Sequence, residues 1–430
     1  RKYFCLRPRR RLRRMASSTR VILGLVAGLA GGALLGALND PALARLIAFI
    51  EPVGMLWLNA LRMTVVPLVV AMLITGIASA AESAASGRLA ARVLLLFVIF
   101  LTGAALLAAV LTPAALALWP VPADAAATVR AGLGHAAAAV PTLPPFGDWL
   151  TQVVPANPFA ALSEGAMLPL VVFALLFGFA ASRIEVSLRV ILLGFFQAVV
   201  ETMLVLIRWV LWAAPAGVFA LALGVGYRSG VGAAGALGFY LVLMCSLGVL
   251  ITIALYPIAA IMGGASFSRF ARAAAPAQVV AVSTQSSLAS LPAMITGAQG
   301  DLAVPARIAS ITLPLAVSLF RISSPPFNLS IVLFVAHVYG VHIGALQLAA
   351  GIAVAVVTSL GVVGLPSQIT FFTTTVPISL AMGVPTEMLS LLLALEVIPD
   401  IFRTVGNVTA DLALTAIVAR WFARQPRAGG

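Results

Sequence analysis

The chain has 430 residues, of which 62% are hydrophobic and only 9% are charged, and its mean hydropathy is +1.12. Soluble proteins carry about a quarter charged residues, so this composition excludes a water-soluble globule. The formal net charge is +13, but basic residues are concentrated in residues 1–20, which argues against a nucleic-acid partner. Two cysteines, Cys5 and Cys245, give neither a disulfide framework nor a metal-binding spacing, and we expect no cofactor.

Residues 1–20 form a basic arm ahead of the first apolar run. We expect the natural start at Met15, which would make residues 1–14 an artefact of the assigned start. A signal peptide is the alternative, but the apolar run covers 21–38 with no clearly placed small-residue cleavage site, so we favour a retained helix. Four of its glycines recur every four residues and predict close packing against another helix: Gly24, Gly28, Gly32 and Gly36.

Apolar runs long enough to cross a bilayer, which takes about 20 residues, occur eight times. They lie at 21–38, 46–80, 91–119, 159–182, 191–225, 233–263, 303–340 and 386–422. Several are longer than a straight crossing needs, which implies tilt or kinks, such as those expected at Pro67 and Pro215. Arginines cluster in the connections that lie on the same side of the bilayer as the N-terminus. Both termini are therefore predicted to be cytoplasmic. Residues 21–430 are therefore predicted to be one polytopic domain in the lipid bilayer.

Two further apolar segments are interrupted in the middle. Segment 268–297 has arms too short to cross on either side of the polar tract Ser283 to Ser287, and segment 346–382 is broken at Gly364 and Pro366. Irregular backbone at membrane depth must face protein or a water-filled cavity, and paired interrupted segments point to a transporter's midplane site. We predict two re-entrant helical hairpins; two ordinary kinked helices are the alternative.

The seventh span is predicted to break near Arg321, because Pro325 and Pro326 follow one another. Prolines lack N–H groups, so carbonyls about four residues earlier are left free. An ion, a ligand or the Arg321 guanidinium would supply their partner.

The last span carries six polar side chains within roughly 100° of helical arc. They are Glu396, Asp400, Arg403, Thr404, Asn407 and Asp411. The three charges at Asp400, Arg403 and Asp411 would together cost roughly 8–10 kcal/mol if unpaired in the bilayer, so this polar face must point into the protein. Asp400 suits an ammonium group, Arg403 suits a carboxylate and Asn407 suits the main carboxylate or amine of a zwitterion. A purely structural Asp400–Arg403 ion pair is the alternative.

Several segments together resemble the dicarboxylate/amino acid:cation symporter family, which includes glutamate and aspartate transporters. The motifs are LRMTVVPLVVAMLITGIAS in span two, EGAMLPLVVFALLFG in span four, STQSSLASLP and VVGLP in the hairpins and, most specifically, DIFRTVGNVTADL in span eight. The resemblance implies an all-α, inverted-repeat fold of eight transmembrane helices plus two re-entrant hairpins. It also implies a homotrimer with elevator-like transport in a bacterial inner membrane.

Carried over by position, the family's substrate contacts form one set. They are Ser286, Ser287, Ser324, Leu365, Pro366, Ser367, Asp400, Arg403, Thr404 and Asn407. Asp400 stands where amino-acid transporters of the family hold the substrate amine, so the resemblance favours an amino acid. Arg403 stands where acidic-substrate members bind the side-chain carboxylate, which favours aspartate or glutamate. Cystine, neutral amino acids and dicarboxylates stay open.

The family's asparagine-methionine-aspartate-glycine-threonine signature, which supplies sodium ligands, is replaced here by residues 320–324, Phe-Arg-Ile-Ser-Ser. Our hypothesis is that Arg321 replaces a bound sodium ion and pairs with Asp411, so that transport is independent of sodium. A proton, carried by Glu396 or another acid, or substrate exchange would then drive it.

The alternative is that Arg321 pairs elsewhere, for instance with Glu396, while sodium uses a residual site. Ser318, Ser359 and backbone carbonyls would form that site, since sodium needs several oxygen ligands.

Two other classes of protein are less favoured. An intramembrane serine hydrolase would use Ser286 or Ser287, but no histidine or lysine base lies in the apolar core, so we predict that the chain is not an enzyme. An anion channel would use Arg321 and Arg403 as its lining, but Asp400 argues for binding an amine.

Overall fold

A computed structural model describes residues 17–38, 40–85, 88–121, 126–127, 151, 153–230, 232–361 and 367–423. Within these ranges the chain is helical, with no strand. The helices are α1 Ser17–Ala37, α2 Pro41–Ala85, α3 Arg88–Leu118, α4 Pro158–Glu164, α5 Met167–Ala181, α6 Val186–Trp212, α7 Ala214–Ser229, α8 Gly232–Gly263, α9 Phe267–Thr284, α10 Ser287–Gln299, α11 Ala306–Leu319, α12 Ser324–Tyr339, α13 Ala345–Gly361, α14 Ser367–Met382, α15 Leu389–Leu395 and α16 Val397–Ala423.

Seven stretches of the described residues are long and apolar enough to cross a membrane. They are Thr19–Ala37, Pro41–Glu82, Ala91–Leu118, Val186–Trp212, Ala234–Gly263, Ala306–Tyr339 and Val397–Phe422. Span four, expected at 159–182, is instead the short helix α4 followed by the 15-residue helix α5. The predicted all-α polytopic membrane fold is confirmed.

Some boundaries differ from the predicted ones. The arm was expected to reach residue 20, but α1 already begins at Ser17; residues 1–16 lie outside the described part. Helix α2 runs without a break through Pro67. The fifth span, expected at 191–225, is two helices that meet at Ala213, because Pro215 lies in the first turn of α7, where its missing N–H costs nothing.

The seventh span breaks where it was expected to, but the two prolines act differently. Pro325 and Pro326 occupy the first turn of α12, a position in which backbone N–H groups have no helical partner anyway. Nearby carbonyls are also used, since Arg321 O accepts the Ser324 N–H at 2.8 Å. The prolines therefore start the second half of the span rather than strip the first half of its bonds.

The helices form two groups that pack mainly within themselves. Helices α1, α2, α5, α6 and α7 form the first helix group, and α3, α8 to α14 and α16 form the second. Glycines explain the closeness of α1 to α7: a Cβ on Gly32 would clash with the Leu223 carbonyl oxygen. One ion pair connects α2 of the first helix group with the segment between α14 and α15: Arg62 lies 2.9 Å from Glu387.

Each interrupted segment forms two adjacent helices in the second helix group. Helix α9 packs on α10, and α13 packs on α14. The turn between α9 and α10 is formed by Gln285, which has a left-handed φ of 52°, and by Ser286, which caps α10. Helix α16 packs against α8, α9, α10 and α11, so its polar face is enclosed by the second helix group.

Candidate functional site

The polar face of α16 points into the protein, as its composition requires. Asp400, Arg403, Thr404 and Asn407 are each no more than 4% exposed, and Asp411 has no exposed surface. The Thr404 hydroxyl donates to the Asp400 carbonyl at 2.8 Å, so its proton is used within the helix. The remaining groups on this face are oriented by other helices.

Arg403 lies at the centre of the buried polar groups. Its Nη1 donates to Asn328 Oδ1 at 3.1 Å, and its guanidinium carbon lies 4.9 Å from the centre of the Phe327 ring. Its Nη2 is 2.7 Å from Glu396 Oε1, and both side chains are at most 2% exposed. Glu396 is thus an ion-pair partner of Arg403, which the Asp400–Arg403 alternative did not include.

Glu396 occupies the junction between α15 and α16. Its Oε2 accepts a hydrogen bond from the Tyr240 hydroxyl of α8 at 3.4 Å. The alternative that Arg321 pairs with Glu396 is not found, since Glu396 faces Arg403 instead.

Asn328 on α12 was not predicted as a site residue, although it connects four side chains. Its Nδ2 donates to Ser324 Oγ at 3.0 Å and to Thr374 Oγ1 at 2.8 Å. Its Oδ1 accepts from Arg403 and, at 3.4 Å, from Thr375. Asn328 therefore brings α12, α14 and α16 together, and Ser324 joins this cluster through its bond to Asn328.

The first hairpin reaches the start of α16. Gln285 Nε2 donates to the Val397 carbonyl at 3.3 Å, a contact that the sequence did not predict. Ser286 and Ser287 are half-buried at this tip, and the Ser286 hydroxyl accepts the Ala289 N–H at 3.2 Å. The tip of the second hairpin, with Leu365 and Pro366, lies outside the described residues, and of Ser367 only its place at the start of α14 is described.

A second group of polar atoms surrounds the break in the seventh span. Asn407 Oδ1 accepts the Ser323 N–H at 2.9 Å, which ties α16 to the break. Buried atoms in this region have no hydrogen-bond partner in the described part of the chain: Arg321 Nη1, Ser323 Oγ, Asn407 Nδ2 and both Asp411 carboxylate oxygens. A hydrogen bond between Arg321 Nη1 and the Asp411 carboxylate is therefore not formed in this structure. Asp400 and Asp411 are the acids whose charges act on Arg321.

The two serines of the alternative sodium site are used locally. Ser318 Oγ donates to the Pro314 carbonyl at 2.8 Å, and Ser359 Oγ donates to the Ala355 carbonyl at 2.6 Å. Among the described residues, no group of three or more histidines, cysteines or acids is arranged to hold a metal ion.

Comparison with known proteins finds a family and relatives that match nearly the whole chain. The sodium:dicarboxylate symporter family matches residues 18–421. The proton/sodium-glutamate symport protein of Bacillus subtilis is 28% identical over 94% of this chain and 92% of its own length. The proton/glutamate-aspartate symporter of Escherichia coli is 25% identical over 93% and 92%, and the human neutral amino acid transporter B(0) is 31% identical over 91% and 76%. The chain therefore belongs to the sodium:dicarboxylate symporter family, a family of membrane transporters.

Proposed function

We propose that this multi-pass membrane protein is a secondary active transporter of acidic amino acids, with L-aspartate or L-glutamate as its substrate. The observation that carries the proposal is the buried set of Asp400, Arg403 and Asn407 on one face of α16. These groups supply a partner for the ammonium, a fork for the side-chain carboxylate and an amide for the main carboxylate. Two relatives named for glutamate transport support this substrate class.

The position of the groups supports binding at a site enclosed by several elements. Ser324 reaches Arg403 through Asn328, and the first hairpin tip contacts the start of α16 through Gln285. A ligand held at Arg403 would thus be near the broken span and a hairpin tip at once. In such transporters the binding site opens alternately to the two sides of the membrane, as elements move around a fixed set of contacts.

We further propose that coupling does not use sodium. The oxygen ligands expected in residues 320–322 are absent, and the cation Arg321 stands at this position, close enough to Asp400 and Asp411 for electrostatic interaction. A fixed charge near Asp411 takes over part of the role that a bound cation would have. The driving force is then a proton gradient or exchange for another substrate.

The packing of helices into two groups supports an elevator-like movement in which the second helix group carries the site past the first. The Arg62–Glu387 ion pair would break during each movement, a small cost because both side chains are 29% exposed. We propose a homotrimer in a bacterial inner membrane, with both termini on the cytoplasmic side.

Neutral amino acids are a second candidate substrate class, favoured by the Arg403–Glu396 ion pair. Because an internal carboxylate already faces Arg403, a zwitterion without a side-chain charge would leave the balance of charge unchanged. The human relative named as a neutral amino acid transporter supports the same candidate.

Competition in proteoliposomes tests the substrate class. Uptake of labelled L-aspartate is measured with excess unlabelled glutamate, alanine, glutamine, cystine or succinate. We expect glutamate to compete and the others to compete weakly. Strong competition by alanine or glutamine, together with poor aspartate uptake, would assign the protein to neutral amino acids.

A further inference from the structure

The Arg403–Glu396 ion pair places a second carboxylate at the group proposed to bind the substrate's side chain. Glu396 lies seven residues before Arg403, which is two helical turns, so the two side chains share one face. Their closest atoms are 2.7 Å apart, and neither side chain is more than 2% exposed. Glu396 is in effect a tethered copy of the carboxylate that an acidic substrate would bring.

The pairing is incomplete. Arg403 Nε and Nη2 and Glu396 Oε1 have no hydrogen bond among the described residues, although the ions are in contact. A guanidinium has five N–H donors in a fork that matches a carboxylate with two parallel bonds. Within the described residues Nη1 donates to Asn328, while Nε and Nη2 are not engaged in hydrogen bonds. A substrate carboxylate aligned with this fork would bind it better than Glu396 does.

The groups around Glu396 determine whether it stays charged. Tyr240 and Cys245 face it from α8, and Asp400 and Arg403 act on it from α16. Arg403 is the cation in contact with the Glu396 carboxylate. A buried carboxylate that loses its cation is unstable unless it takes a proton, because an unpaired charge in such a place is costly.

We propose that Glu396 is the proton carrier of this transporter and competes with an acidic substrate for Arg403. This inference rests on the proposed function and gives a residue to its coupling. A proton from the aqueous side of entry binds a Glu396 oxygen, the neutral side chain releases Arg403, and the substrate carboxylate takes its place. On the other side the substrate leaves, Glu396 gives its proton to water and the Arg403–Glu396 ion pair forms again. One proton moves with each acidic substrate through Glu396.

Competition between Glu396 and the substrate for Arg403 predicts how the apparent KM for L-aspartate changes with pH. Raising the pH removes the proton from Glu396 and strengthens its competition, so the apparent KM for L-aspartate rises with pH. For a single competing proton the rise approaches about tenfold per pH unit. A neutral amino acid does not need the fork of Arg403, and its KM does not follow this dependence.

The test compares Glu396→Gln with the unaltered protein in proteoliposomes. Glutamine has the shape of the protonated side chain but cannot titrate. We expect the variant to keep, at all pH values, the low aspartate KM that the unaltered protein has only at acidic pH. Aspartate should move protons across the membrane with the unaltered protein, as reported by a trapped pH dye, but not with the variant.

Glu51→Gln is the matched control, because Glu51 also pairs with an arginine, Arg228, but in the first helix group. It should retain the pH dependence. Glu396→Asp covers the case in which the glutamine variant does not fold: the shorter acid still titrates but reaches Arg403 less well, so the pH dependence persists with a lower KM at alkaline pH.

A variant Glu396→Gln with the pH dependence of the unaltered protein would overturn the inference and leave the proposed function intact. The same holds if Glu396→Asp raises the aspartate KM at alkaline pH. Absence of aspartate uptake by the unaltered protein at every pH would instead overturn the acidic specificity itself.

Discussion

Replacing Asn328 with alanine should weaken both the fold and substrate binding. The asparagine makes four side-chain hydrogen bonds, including the one that Arg403 Nη1 donates to it. A bond to a charged group contributes about 1.5–3 kcal/mol and a neutral one about 1 kcal/mol. Because the Asn328 side chain has no exposed surface, water does not easily replace these hydrogen bonds after its removal. We expect the free energy of unfolding to fall by about 3–5 kcal/mol.

Asn328→Ala should also change transport, because Arg403 loses a hydrogen-bond partner. Without its neutral acceptor, the guanidinium interacts more strongly with Glu396, so the apparent KM for L-aspartate should rise by about tenfold or more. Denaturation in detergent micelles gives the stability, and proteoliposome uptake gives the KM.

The control for this prediction is Asn157→Ala. Asn157 is exposed and caps α4 by accepting two backbone N–H bonds, so its loss should cost about 1 kcal/mol and leave the KM unchanged. If the two alanine variants behave alike in stability and in KM, Asn328 does not position Arg403 and the reasoning is refuted.

Three further predictions concern other parts of the account. Asp400→Asn should raise the KM for aspartate at least about 30-fold, because a desolvated charge pair is worth about 2–5 kcal/mol. Inhibition by succinate, which has no amine, should stay the same. Equal losses for both compounds would count against an amine contact. Gly32→Ala should lower thermal stability in detergent, by about 1–3 kcal/mol for overpacking, since its Cβ would meet Leu223, whereas Gly103→Ala, with open space around it, should not; equal melting temperatures would show that the glycine strip does not hold α1. Arg321→Met combined with Ile322→Asp should make aspartate uptake dependent on sodium, and uptake that stays equal in sodium and choline would contradict the role given to Arg321.

Much of the fold follows from the pattern of apolar residues. The polar face of α16 was predicted because a helix in a bilayer must turn charges at Asp400 and Arg403 inward, a constraint that holds whatever the neighbours are. The glycine strip of α1 predicted a close neighbour for the same kind of local reason. The places where helices break were less predictable: Pro67 lies inside an intact helix, while Pro215 begins a new one.

The partners within the site were not predictable from spacing along one helix. Asn328 was not predicted, because its role depends on contacts with Thr374 on α14 and Arg403 on α16, which no spacing along α12 indicates. The Arg403–Glu396 ion pair had a signal in the sequence, since a separation of seven residues places both on one face. The hypothesised pairing of Arg321 with Asp411 is not a hydrogen bond in this structure, because side-chain direction around a broken helix is set by tertiary packing.

The central claim is that this transporter moves acidic amino acids without sodium. Its most direct test is uptake of labelled L-aspartate into proteoliposomes with choline replacing sodium on both sides, at equal pH and with an inwardly directed proton gradient. The account predicts accumulation that is unaffected by the absence of sodium and is increased by the proton gradient. Uptake that is abolished in choline and restored by sodium would contradict it.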